Sequence, residues 1–168
     1  MNKAFVAVLM GSDSDLPTMQ ATLNVLEKFG VPREVKITSA HRTPAATHAY
    51  VREAEVRGCQ VFIAAAGLAA HLAGTVAALT IKPVIGVPME AGPLNGIDAL
   101  LSTVQMPGGI PVASVAIGKA GAVNAGYLAV QILAQQDPVL AQKLLQDRAA
   151  NEQQIREKDA AAQTAISK

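Results

Sequence analysis

Ala4-Phe5-Val6-Ala7-Val8-Leu9-Met10-Gly11-Ser12-Asp13-Ser14-Asp15 is the stretch that decides the fold. Its first seven residues form a short unbroken apolar run, the pattern of a strand covered on both faces, and such strands belong to parallel sheets. A glycine and a polar cluster follow at once. Beyond them, Leu16, Met19, Leu23 and Leu26 recur at three- and four-residue spacing. That spacing predicts a helix, with Pro17 in its first turn and Gly30 and Pro32 at its end.

The same alternation continues along the chain. Val35, Ile37 and Ser39 alternate with polar residues and predict a second strand, less fully buried than the first. Thr43 as cap and Pro44 at the first position open a second helix, which stops at Gly58. Val61 to Ala66 reads as the third strand, about 69–80 as the third helix and Val84 to Val87 as the fourth strand. Met89 to Asn95 reads as loop, punctuated by Gly92-Pro93. Ile97, Leu100, Leu101 and Val104 mark a fourth helix, 106–111 an ordered loop and Val112 to Ile117 a fifth strand. Five strands with intervening helices predict a three-layer α/β/α sandwich on a parallel sheet. A flavodoxin-like strand order is preferred, although periodicity alone does not fix it.

A helix over about 120–134 is apolar on every side, so it must be covered on every side. One sheet covers one face. The C-terminal segment or a second subunit must supply the rest. Asp137-Pro138 starts a further helix with Leu140, Leu144 and Leu145 as its stripe. Residues 1–148 are therefore expected to form one α/β domain. Residues 149–168, charged or Ala-rich, are expected to form a helical tail that projects and packs on a neighbouring subunit.

Composition narrows the function classes. The chain has 168 residues, 51% of them apolar and 16% charged, which is a well-buried globular protein. A net charge of +1 without a Lys/Arg cluster argues against a nucleic-acid surface. One cysteine, Cys59, rules out an internal disulfide framework and a Cys-rich zinc site; it reads as a core or helix-end residue. Met1-Asn2-Lys3 leads directly into the first strand with no signal peptide. No apolar run is long enough to span a bilayer, so no membrane is expected and the cytoplasm is the default location.

Chemistry-bearing residues cluster where the first three strands should end. Ligands bind outside the carboxyl ends of the strands in open parallel sheets, so Gly11 to Asp15, Ser39 to Pro44 and Gly67 to Leu72 should meet there. In the first loop, Gly11 permits a sharp turn and close ligand approach. The helix-opening amides attract anions, and Ser12 and Ser14 add hydroxyls. The carboxylates of Asp13 and Asp15 suit sugar hydroxyls, although Ser14 or Asp15 serving only as a helix cap explains each residue by itself. In the second loop, Arg42 offers a planar cationic fork for phosphate or carboxylate. His41 carries the side chain whose ordinary pKa lies nearest neutrality, placed for acid–base work or for a local hydrogen bond. The third loop is almost free of polar side chains. Its amides can clasp a carboxylate or a CO2-sized group in a dry pocket. His71 either orients that loop or touches substrate, and His48 is a solvated or packed helix residue. The set suits holding a phosphorylated sugar and moving a proton.

Other site types are excluded or weak. No G-x-x-x-x-G-K-[ST] loop and no G-x-G-x-x-G after a strand is present. Asp13-x-Asp15 resembles a magnesium pair of haloacid-dehalogenase phosphatases, but Gly11-Ser12 intervene after the strand. A receiver domain lacks its acidic residue at Ala66-Gly67. A flavodoxin would want aromatic rings, and the chain has two Tyr, three Phe and no Trp.

Met10-Gly11-Ser12-Asp13-Ser14-Asp15, Ser39-Ala40-His41-Arg42-Thr43-Pro44, Ala69-Ala70-His71-Leu72, 83–88, 104–111 and 116–119 together resemble the 5-(carboxyamino)imidazole ribonucleotide mutases, the phosphoribosylaminoimidazole carboxylase catalytic subunits of purine synthesis. The likeness runs from about residue 4 to 135. It implies a flavodoxin-like fold in a homo-octamer with sites at subunit contacts, no metal and no organic cofactor. It implies that a carboxylate moves from the exocyclic nitrogen to a ring carbon through CO2 held in a closed site. His41 is then the proton shuttle. Ser12, Asp15 and Arg42 hold the ribose phosphate, with Ser39, Ala40, Gly67, Ala70, His71 and Leu72 completing the substrate-binding set. An ATP-dependent synthetase supplies the substrate. Two departures stand out: Leu68 replaces a glycine and Ala73 a proline of the usual Gly-Gly-Ala-Ala-His-Leu-Pro-Gly. A branch that carboxylates the aminoimidazole directly has lysine after the histidine and lacks Ala-Ala-His-Leu, so Arg42 and His71 favour the mutase.

Overall fold

A computed structural model describes residues 4–166; residues 1–3, with the lead-in expected there, and 167–168 lie outside the described residues. Five strands are all parallel: β1 (Phe5–Met10), β2 (Arg33–Ile37), β3 (Cys59–Ala66), β4 (Val84–Pro88) and β5 (Ala113–Ser114), in the order β2-β1-β3-β4-β5. This is the flavodoxin-like order, with its switch point between β1 and β3. The helices are α1 (Leu16–Lys28), α2 (Pro44–Val56), α3 (Leu72–Ala77), α4 (Ile97–Val104), α5 (Gly118–Ala134) and α6 (Pro138–Ile166). A single 3-10 turn, Asp13–Asp15, joins β1 to α1. One compact unit runs through Ile132 and a second begins at Leu133.

The apolar runs explain the layering. Every residue of β1 is buried, as its unbroken pattern requires. Alternate residues face opposite layers. Phe5, Ala7, Leu9, Phe62 and Ala64 pack with Val51 and Ala54 of α2 and Leu72, Ala73 and Val76 of α3. On the opposite layer α1 and α5 cross closely: a Cβ on Gly126 would come within 2.8 Å of Val25 Cβ, and Thr22 Oγ1 donates to the Ala122 carbonyl at 2.6 Å. Gly86 of β4 lies under α4, where a Cβ would meet Thr103 Cγ2 at 2.3 Å. Cys59 is fully buried, and burial pushes its thiol up to about 11, so it is an inert core residue.

The edge strand β2 is the least covered, with Val35 and Ile37 exposed. Glu34 of this strand accepts from Arg57 at 2.5 Å and from the Tyr50 hydroxyl at 3.2 Å, which pins α2 to the sheet edge. Burial, then the Glu34 charge beside it, raises the Tyr50 phenol pKa.

Several boundaries differ from those the sequence predicts. The third helix occupies only 72–77, because Leu68 takes a left-handed φ of 55° and the His71 amide closes a tight turn on the Ala69 carbonyl at 2.9 Å. The fifth strand shrinks to two residues. Its ladder ends after Val115 donates to the Gly86 carbonyl. The Ala116 carbonyl then presses on Gly121, where a Cβ would lie 1.6 Å away. The helix that follows, α5, starts earlier than expected, at Gly118 with φ +69°. In the second unit, α6 begins as expected, with Leu140 N donating to Asp137 Oδ1 at 3.0 Å. It continues unbroken to Ile166, and every described residue from Arg148 onward is exposed. Pairs one turn apart line that stretch: Arg156 with Glu152, Gln153 with Glu157, and Gln163 with Asp159.

Candidate active site

The carboxyl ends of β1, β2, β3 and β4 open into one cavity of about 400 Å³. Gly11, Ser12, Ser14 and Asp15 come from the first loop, Ser39 to Arg42 from the second, Ala66 to Ala69, His71 and Leu72 from the third, and Ala91 from the fourth. Nine of the ten residues singled out from the sequence stand on its wall: Ser12, Asp15, Ser39, Ala40, His41, Arg42, Gly67, His71 and Leu72. Ala70 does not; it is 2% exposed and buried beneath the loop. Ser14 and Leu68 join the wall although they were absent from that set, and so does Ala91, for which only its place after β4 gave a signal. His48 is exposed on α2 and takes no part.

Local hydrogen bonds explain how the loops hold their shape. In the first, the cap is Ser12: its Oγ accepts from the Ser14 amide at 3.3 Å and the Ser14 hydroxyl at 2.9 Å. Asp15 stands at the cap position of α1 with no side-chain capping bond, so its carboxylate remains turned to other work. Burial raises the Asp15 pKa, Asp13 adds repulsion in the same direction, and a backbone hydrogen bond from Ser12 opposes both.

The second loop is closed on itself. The Arg42 amide donates to Ser39 Oγ at 3.1 Å, the Ser39 amide donates to Thr43 Oγ1 at 2.9 Å, and Thr43 Oγ1 donates to the Ser39 carbonyl at 3.1 Å. Thr43 stands at the cap position of α2 with Pro44 next, as expected, but its hydroxyl turns back into the loop and makes no capping bond. Thr38, 4% exposed, shares hydrogen bonds with Thr43 at 3.2 Å and Thr47 at 2.8 Å, which anchors the loop to the end of β2 and to α2.

Two contacts join the loops. Arg42 donates a guanidinium N–H to the Gly11 carbonyl at 3.1 Å, and no carboxylate pairs with it among the described residues. A fork so placed can take an anion beside the first loop. His41 Nε2 and His71 Nδ1 lie 2.6 Å apart with their rings near perpendicular. A hydrogen bond at that distance needs one nitrogen with a proton and one without, so each ring fixes the other's tautomer. His71 therefore orients His41, whatever else it touches. Among the described residues no group of three His, Cys, Asp or Glu is placed to hold a metal ion.

The fold and site together define a flavodoxin-like α/β domain whose switch-point cavity combines a guanidinium fork, a hydroxyl-rich loop and a hydrogen-bonded histidine pair. The model of the AIR carboxylase family matches residues 5–154, and the chain belongs to that family. It is 57% identical over 155 residues to the N5-carboxyaminoimidazole ribonucleotide mutase of a Synechocystis species, covering 92% of this chain and 87% of the relative. It is 53% identical over 152 residues to the enzyme of the same name from Bacillus subtilis, covering 90% and 94%. The crystal structure of Treponema denticola PurE superposes with a TM-score of 0.85 at 29% identity, over 94% of this chain and 98% of that one.

Proposed function

We propose that the chain is an N5-carboxyaminoimidazole ribonucleotide mutase of purine synthesis. It interconverts the carbamate of 5-aminoimidazole ribonucleotide and the corresponding ring 4-carboxylate. The observation that carries the mechanism is the His41–His71 pair, set between a cationic fork and an almost wholly apolar loop.

The chemistry needs one proton moved twice. The bond from the exocyclic nitrogen to the carboxyl carbon breaks, CO2 leaves, and His41 gives its proton to that nitrogen. The ring carbon then attacks CO2, a carbon–carbon bond forms, and the ring proton returns to His41. No net proton is gained or lost. His71 holds the His41 ring in line for both transfers. Arg42 and the first-loop donors hold the phosphate, and Asp15 accepts from the ribose hydroxyls. Ala66, Gly67, Ala69 and Leu72 exclude water and keep CO2 beside the ring.

The active form is an oligomer, an octamer, located in the cytoplasm. The exposed Ile97, Leu101 and Val104 on α4, with Leu94 and Ile110 beside them in sequence, support burial against further copies. Among the described residues no helix is long and apolar enough to cross a membrane. The substrate comes from an ATP-dependent carboxylation of the aminoimidazole ribonucleotide.

The test is a carbon-label assay. Purified protein receives the carbamate with label in its carboxyl group, in excess unlabelled bicarbonate and without metal. Label retained in the carbon-carboxylated product is the expected result. Product formed from the bare aminoimidazole ribonucleotide and unlabelled CO2, with the carbamate ignored, would make the chain a direct carboxylase.

A further inference from the structure

Thr43 stands where a cap belongs and does not cap. It precedes Pro44 at the start of α2, yet its hydroxyl makes no capping bond. Such a bond would stabilise the helix, so its loss calls for another use of the hydroxyl. That use is a double grip on Ser39: Oγ1 accepts from the Ser39 amide at 2.9 Å and donates to the Ser39 carbonyl at 3.1 Å. The Thr43 amide donates to the same carbonyl at 2.9 Å. These bonds close the base of the 39–43 loop, and His41 is its middle residue. Thr43 itself is not on the cavity wall.

Each hydroxyl has one proton, which fixes the direction of the remaining bonds. The Thr43 proton goes to Ser39, so Thr38 is the donor in its 3.2 Å bond to Thr43. Thr47 then shares its own proton between Thr38 at 2.8 Å and the Thr43 carbonyl at 3.2 Å. The chain of hydroxyls runs outward from two buried threonines and ends, through Thr43, on the loop. The two site residues of that loop are not held alike. Arg42 has further anchors, its amide on Ser39 Oγ and its guanidinium on the Gly11 carbonyl. Among the described residues the His41 side chain has one hydrogen bond, to His71 at 2.6 Å. A loop opened at its base would leave the fork beside the first loop and let the imidazole swing, and a displacement of about 1 Å can cost roughly a hundredfold in rate. On the mutase reading, on which this inference rests, we propose that Thr43 is the positioning residue of His41. Its diverted hydroxyl holds the imidazole in register with His71 for both proton transfers.

Four full-chain variants test this. Thr43→Val keeps the shape and loses the hydroxyl, and Thr43→Ala loses it with room to spare should valine hinder folding. Thr43→Ser restores it. Thr38→Val removes a hydroxyl from the same network and leaves both Ser39 bonds in place. With the carbamate as substrate, kcat is expected to fall at least about tenfold in Thr43→Val and Thr43→Ala, with KM within about threefold. Thr43→Ser and Thr38→Val are expected to keep kcat within about threefold of the parent, although Thr38→Val lowers Tm. Imidazole nitrogen NMR adds a readout that stability does not move. The parent is expected to show one protonated and one bare nitrogen across the His41–His71 contact; Thr43→Val and Thr43→Ala are expected to show averaged signals like those of His48, which is exposed. Unchanged kcat or an unaltered His41–His71 signature in Thr43→Val and Thr43→Ala overturns the proposal. So does an equal fall in Thr38→Val, or a Thr43→Ser variant that restores nothing. A parent that does not convert the carbamate overturns the mutase reading, and the spectra then decide by themselves whether Thr43 positions His41.

Discussion

Replacing Arg42 by lysine separates the geometry of its fork from its charge. The guanidinium makes one bond to the Gly11 carbonyl at 3.1 Å, and on the proposed function its other N–H groups take the substrate phosphate. Lysine keeps the cation but loses the planar pair of donors. The lost bond to a neutral carbonyl at an exposed residue is worth about 1 kcal/mol, and one lost charge-assisted bond to phosphate about 1.5–3 kcal/mol. The first is present with and without ligand and so bears on stability; the second alone sets the affinity loss, roughly ten- to a hundredfold. Titration calorimetry with the carboxylated product should show that loss for Arg42→Lys and a larger one for Arg42→Met, which also removes the charge. The value of kcat should change far less than KM, because the fork grips the phosphate equally before and during reaction. Lysine binding as well as arginine would refute the fork. A fall in kcat with unchanged affinity would place Arg42 at the reacting end instead.

Three further outcomes follow from the structure. His41→Asn should lower turnover by 10³-fold or more while product affinity stays within about tenfold, and retained turnover would remove the shuttle role. Asp15 has its pKa raised by burial from the ordinary 3.8, so the neutral form is favoured in the fold and its contribution to stability is present below that value and lost as pH rises through the folded pKa. Asp15→Asn should therefore raise Tm at pH 7, with the gain disappearing below about pH 4, and should weaken substrate binding; a lower Tm at pH 7 would contradict the burial argument. Phe62→Ala empties the largest fully buried side chain and should cost about 3–5 kcal/mol in denaturant unfolding, with less than 2 kcal/mol showing the core to be collapsible there.

The chain's local patterns carry much of the fold. Ala4 to Met10 announces a central strand because a strand covered twice needs no polar residue, and the switch-point rule then brings the three loops together before any coordinate is known. What the sequence hides is set by tertiary contact. Nothing local marks Leu68 as left-handed; its side chain meets the Gly92 loop, a contact that only the fold creates. Nothing in Val112 to Ile117 shows that pairing stops early, because the Ala116 carbonyl is claimed by its packing on Gly121. Ala70 looked like a wall residue by position, but the tight Ala69–His71 turn rotates it inward. Composition gives histidines at 41 and 71, and only the fold sets their nitrogens 2.6 Å apart.

The loop that carries His41 and Arg42 is shaped by Ser39, Thr43, Thr38 and Thr47, all through neutral hydroxyls. Counter-ions screen charged partners strongly and hydroxyl bonds hardly at all. Ionic strength will therefore tune how firmly the loop attracts a phosphate, while the frame that aims the imidazole keeps its shape. A cell whose ion content rises under osmotic stress would find this site weaker in grip and unaltered in alignment.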